Sequence, residues 1–66
     1  SRRQATINGK YSGGVFCTMA DDTTCLCLYT ALHTDRDFQI GDEVLLVVSK
    51  YDYEQCLIYG RILSKW

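Results

Sequence analysis

Sixty-six residues allow one domain, residues 1–66, whose core is barely large enough to offset chain entropy, so nearly every apolar residue has to be used. A hydrophobic share of 47% excludes a disordered chain, and no uncharged run approaches the about 20 apolar residues of a membrane-crossing helix, so no membrane partner is expected. Seven Lys plus Arg against eight Asp plus Glu, a formal charge of −1, exclude attachment to nucleic acid by net charge alone. A local basic face remains open, with Arg2, Arg3 and Lys10 early, Arg36 in the middle, and Lys50, Arg61 and Lys65 late. The acids gather where turns are expected, at Asp21-Asp22, Asp35, Asp37, Asp42-Glu43 and Asp52 with Glu54. Without a signal peptide or an initiator Met, the chain reads as an excised domain or as carrying a cloning scar at Ser1, with the cytoplasm as default compartment.

In chain order, residues 1–8 join a basic flank to Ala5-Thr6-Ile7, which can begin an edge strand. Asn8-Gly9 and Gly13-Gly14 are turn signals. A glycine pair inside a small barrel also marks a bulge or a bend in a long first strand. Plain turn chemistry is favoured over a phosphate-cradling loop, because no helix follows to supply a dipole.

Residues 15–20 and 24–32 flank Asp21-Asp22-Thr23 as a first hairpin. In the second of these runs Leu26 and Leu28 alternate with Cys25, Cys27 and Tyr29. That predicts an aliphatic inner face and an outer face of thiols and a phenol. Residues 31–40 lack period-two alternation and have room for a single helical turn, with Phe38 and Ile40 capping one barrel end.

Gly41-Asp42 leads into residues 44–48, a run of nearly pure β-formers, followed by a turn at 50–54 and a last strand at 55–63. Val44, Leu46 and Val48 are expected inside, with Leu45 and Val47 outside. On the last strand Cys56, Ile58 and Ile62 are expected inside, Tyr59 and Arg61 outside, and Gly60 at a bend. A flat sheet of this size leaves unpaired edges, and closing it removes them. The fold class expected is therefore all-β: a small five-stranded OB-fold-like barrel interrupted between its third and fourth strands, with the SH3-like barrel as neighbour.

Cys17, Cys25, Cys27 and Cys56 form no Cys-x2–4-Cys pair of the kind that grips zinc from a turn. Neither a metal, a disulfide nor any other cofactor is expected, and free thiols are the default. The sole histidine, His33, has no nucleophile motif around it, and so small a barrel has little room to exclude water from a reacting centre. Binding is expected rather than catalysis.

Phe16, the acidic turn Asp21-Asp22, the run 25–30, the lead-in Gly41-Asp42-x-Val44-x-Leu46, Tyr51-Asp52 and the closing Gly60-Arg61-Ile62 together span most of the chain. In these features it resembles the OB-fold of bacterial translation initiation factor one and of its eukaryotic and archaeal counterpart, factor one-A. That family carries a Lys and Arg cluster between strands three and four for ribosomal RNA. Here residues 31–37 hold one Arg and two Asp. Structural modules of phage tails and secretion spikes share the Gly-Asp-x-Val and Gly-Arg-Ile features.

The resemblance implies single-stranded RNA or the ribosome as partner, bound on the face of strands two and three. The residues expected there are Phe16 and Tyr29, with Tyr11 from the first strand, His33 and Arg36 beside them, and Lys10, Tyr59 and Arg61 at the margins. Tyr29 stands where nucleic-acid-binding relatives often place a His. Phe16 reads equally well as core, and the tyrosines as covers of the barrel ends. The alternative is a protein-interaction or self-associating assembly barrel, using Leu45, Val47 and the outward thiols as an apolar patch.

Overall fold

The computed structural model describes residues 1–66. Its strands are β1 (Arg2–Tyr11), β2 (Gly14–Met19), β3 (Thr24–Leu28), β4 (Glu43–Asp52) and β5 (Leu57–Lys65), with one 3-10 turn, Asp35–Asp37, between β3 and β4. They close into a barrel in the order β1-β2-β3-β5-β4, with β4 returning to β1. Only β3 and β5 run parallel, Leu26 beside Tyr59 and Cys27 beside Gly60; the other neighbours are antiparallel. This is the all-β, OB-fold-like barrel expected from the alternation, and closure leaves no free sheet edge.

β1 is a long first strand, not the edge strand expected from Ala5-Thr6-Ile7. Its first half pairs with β4 and its second half with β2, so one strand joins both sides of the barrel. Asn8-Gly9 does not turn the chain: the register against β2 slips between Ile7 and Gly9, a bulge that sets Gly9 opposite Phe16. A Cβ on Gly9 would stand 3.2 Å from the Phe16 ring, so the missing side chain makes room for it. The reversal comes at Ser12-Gly13 instead.

Inside, Val44 and Leu46 are fully buried as expected, with Ile7, Val15, Met19 and Ile62 around them. β3 is turned inside out relative to the expectation. Cys25 and Cys27 are buried with Cys17, while Leu26 is half-buried and Leu28 is 50% exposed on the outer side. The cause is space. A Cβ on Gly60 would lie 2.8 Å from the Cys25 sulfur and 2.6 Å from the Val47 carbonyl oxygen, so β5 closes on β3 too tightly to admit a leucine. Thiols are small enough to fit there.

Two further inward assignments are corrected. β4 runs on to Asp52, so the turn moves to residues 53–56, and Cys56 ends it exposed with φ 55°. Ile40 is 60% exposed. The Asp42 carboxylate accepts the Gln39 N–H at 2.9 Å, and Gly41, at φ 96°, donates its N–H to the Ile7 carbonyl at 2.8 Å. That turn swings Ile40 outward and leaves Phe38, 1% exposed, as the sole plug of the barrel end. The expected helical turn is the 3-10 turn itself, fastened where Asp37 accepts the Thr34 N–H at 2.7 Å.

Because backbone cannot give way as a flexible side chain can, Gly60→Ala is expected to destabilise the barrel by about 1–3 kcal/mol, read as a lower urea midpoint. Gly13→Ala, whose Cβ would meet only the Tyr11 ring at 3.2 Å, is expected to cost less. An unchanged midpoint for Gly60→Ala would show that the β3–β5 closure is not tight.

Candidate nucleic-acid interface

With the thiols inside, strand alternation puts Phe16 and Leu26 on the outside. Register then aligns Gly9, Phe16, Leu26, Tyr59 and Lys50 in one row across β1, β2, β3, β5 and β4. The Tyr11 ring leans on Phe16 with centroids 5.0 Å apart, and the Lys50 ammonium lies 5.5 Å from the centre of the Tyr59 ring. The latter is cation–π distance.

Two open grooves run along this wall. One, of about 280 Å³, is lined by Phe16, Leu26, Leu57 and Ile58 among others; the second, of about 370 Å³, by Leu28, Ser49, Lys50 and Tyr59 with Gly60. At the tip of the β4–β5 hairpin, Tyr51 and Tyr53 stand with near-parallel rings 6.2 Å apart, Tyr53 86% exposed.

The residues expected from sequence divide into separate groups. Tyr11, Phe16 and Tyr59 are on the wall. Tyr29 and His33 instead pack on Phe38 at the barrel end, with centroid distances of 6.4 and 5.2 Å. There the Tyr29 hydroxyl donates to Asp35 at 3.1 Å, and Lys10 donates to the Asp35 carbonyl at 3.0 Å. Arg36 is exposed on the 3-10 turn. Arg61 lies opposite Val47, which in turn faces Arg2, and belongs to the β1–β4–β5 wall. The sequence reading missed Leu26 and Leu28, which it placed inside, and it missed Lys50, Tyr51 and Tyr53. A lysine and two tyrosines flanking a hairpin turn were the available signal for the last three.

Two phenols feel their surroundings. Burial raises the Tyr11 hydroxyl above its ordinary range, helped by Tyr59. Burial also raises that of Tyr29, helped by its bond to Asp35. All four cysteines are free, and the Cys25 and Cys27 sulfurs are 3.9 Å apart. Hydrogen bonding to Cys17 and Cys25, together with burial, holds the Cys27 thiol well above its usual titration range and therefore protonated. The thiol face expected outside is thus core.

The carboxylates are largely committed to turns. Asp21 accepts from the Thr23 hydroxyl, Asp37 from the Thr34 N–H, Asp42 from Gln39 and Asp52 from Gln55. Each of these bonds, first among its causes, depresses the pKa of that aspartate. The row from Gly9 to Lys50 carries no acid; the nearest carboxylates in the β4–β5 hairpin are Asp52 and Glu54 at its tip.

Compared with protein-family models, curated proteins and solved structures, the chain matches none. No helix is long and apolar enough to cross a membrane.

Because their folded-state pKa values lie below the ordinary 3.8, Asp21, Asp37, Asp42 and Asp52 stabilise the fold above that pH. This contribution disappears as pH falls through the depressed values. The urea midpoint is therefore expected to drop below about pH 4, and Asp42→Asn is expected to flatten part of that drop. Equal acid dependence in wild type and Asp42→Asn would remove Asp42 from this account.

Proposed function

We propose that the protein binds single-stranded nucleic acid, RNA foremost, on the outer wall of β2 and β3, with the β4–β5 hairpin as its rim. The observation that carries this reading is the acid-free row Phe16, Leu26, Tyr59 and Lys50, with Tyr11 against it, one groove lined by Phe16 and Leu26 and another by Tyr59 and Lys50. Stacking of a base on an aromatic ring supplies about 1–3 kcal/mol and tolerates any sequence. Lys50 brings positive charge to the row, while Arg36 on the 3-10 turn and Arg61 opposite Val47 lie off it. The preference for RNA, the ribosome as a site of action and the cytoplasm as compartment rest on the resemblance to initiation-factor OB-folds. The assembly reading is the weaker one, since the thiols it relied on are in the core and Leu45 and Val47 are half-buried.

Titration with a short oligouridylate at low salt is expected to shift amide resonances of β2, β3 and the hairpin 53–56. Affinity is expected to fall as salt rises. Phe16→Ala should weaken binding by about 1–3 kcal/mol, while Leu45→Ala should leave it unchanged. Absence of any shift on β2 and β3 at low salt would overturn the reading.

A further inference from the structure

The carboxylate of Asp35 occupies an unusual position for a surface acid. Lys10 Nζ lies 3.4 Å from its Oδ1 and donates to the Asp35 carbonyl at 3.0 Å, while the Tyr29 hydroxyl donates to the same Oδ1 at 3.1 Å. An ammonium and a phenol, brought from β1 and from the end of β3, thus converge on one anionic oxygen. We propose that Lys10 and the Tyr29 hydroxyl form a binding site for a nucleic-acid phosphate, which Asp35 of the same chain occupies until the ligand displaces it.

The donors and the acceptor are held very differently. Tyr29 is fixed by its near-coplanar ring against Phe38 and by its N–H, which donates to the Gly13 carbonyl at 3.0 Å. Lys10 is anchored in the β1–β2 ladder opposite Val15, with its side chain 26% exposed. The Tyr29 ring does not depend on the acid for its position, and the Lys10 ammonium keeps the Asp35 main-chain carbonyl as a partner when the carboxylate leaves. Asp35 is 68% exposed on a 3-10 turn that buries none of its own residues. An exposed ion pair of this kind is weak and easily exchanged, whereas a phosphodiester brings the same charge together with stacked bases. Lys10 and Tyr11 point to opposite faces of β1, and the site meets the edge of the wall at Gly13, whose carbonyl accepts the Tyr29 N–H and against which the Tyr11 ring lies. The effect of the arrangement is to withhold one cationic contact from small anions and short acidic peptides.

The proposal rests on the nucleic-acid reading above, and its test separates the two. The dissociation constant of a fluorescein-labelled oligouridylate is measured by anisotropy over a range of KCl concentrations. The proteins compared are wild type, Asp35→Asn, Lys10→Ala, the double variant, and Asp22→Asn as a control of equal charge change in the β2–β3 turn.

Asp35→Asn is expected to bind about two- to fivefold more tightly than wild type at low salt, the range an exposed ion pair is worth. Its log–log salt slope is expected to steepen by up to about 0.7, one phosphate contact on a single strand. Lys10→Ala should abolish that gain in the double variant, and Asp22→Asn should show none. Asp35→Ser provides a second removal of the carboxylate should the asparagine perturb the turn. A gain that survives in the double variant, or that Asp22→Asn reproduces, would overturn the proposal. Wild-type binding with no gain in Asp35→Asn would overturn it alone, whereas no binding by any of these proteins would take the nucleic-acid reading with it.

Discussion

Closure of β5 onto β3 is the constraint on which the other features depend. It is the only parallel pair, it joins the two ends of the sheet, and it brings Gly60 under the Cys25 sulfur with the Val47 carbonyl on the other side. A barrel that narrow can be filled next to β3 only by side chains of about thiol size. The inner face of β3 is therefore Cys25 and Cys27, and by alternation its outer face is Leu26 and Leu28. Packing inside thus determines what the outer wall offers to a ligand.

The charge distribution follows from the same economy of a small chain. Turns without proline need another means of fixing their backbone, and here aspartates do it by accepting N–H or hydroxyl hydrogens within their own turns. Carboxylates used this way collect at the barrel ends and hairpin tips. Strand positions along the row from Gly9 to Lys50 are left to aromatic, aliphatic and basic residues. A formal charge of −1 consequently coexists with an acid-free row across the sheet.

Much of the fold was legible because it is written in alternation and punctuation. Residues 44–48 are a run of β-formers with Val44 and Leu46 on the inner face, and Gly13 and Gly41 mark real reversals. The 3-10 turn lies inside the one run without period-two pattern. Legibility failed where two signals conflict. In β3 both faces are apolar, and hydrophobicity ranks leucine above cysteine for the interior, whereas the deciding quantity was volume at a contact with Gly60 that only the tertiary structure creates. Asn8-Gly9 has turn chemistry, yet pairing on both sides of β1 overrides it and leaves only a bulge. Of the site, Tyr59 was readable as an outward ring on its strand, whereas Phe16 read equally well as core and is half-buried on the outer face. That His33 and Tyr29 would instead brace Phe38 was not readable, because their positions are fixed by a connection with no periodicity to read.

A domain of this length has little apolar surface to spare, so where it leaves such surface uncovered is informative. Of the large exposed apolar side chains, Leu28, Tyr51 and Tyr53 lie on or beside the wall and its hairpin rim, next to the half-covered Phe16, Leu26 and Tyr59, while Leu32, Ile40 and Trp66 lie outside the strands. Exchanging these side chains for polar ones would cost the core little, since the buried cluster does not contain them. They leave partly covered rings and aliphatic side chains on the outer face of the barrel. Core packing and the outer wall thus make separate demands on opposite faces of the same strands, with thiols and β-branched residues inside and rings outside. The bulge at Gly9, which sacrifices regular pairing to seat the Phe16 ring, is the point at which the two demands meet.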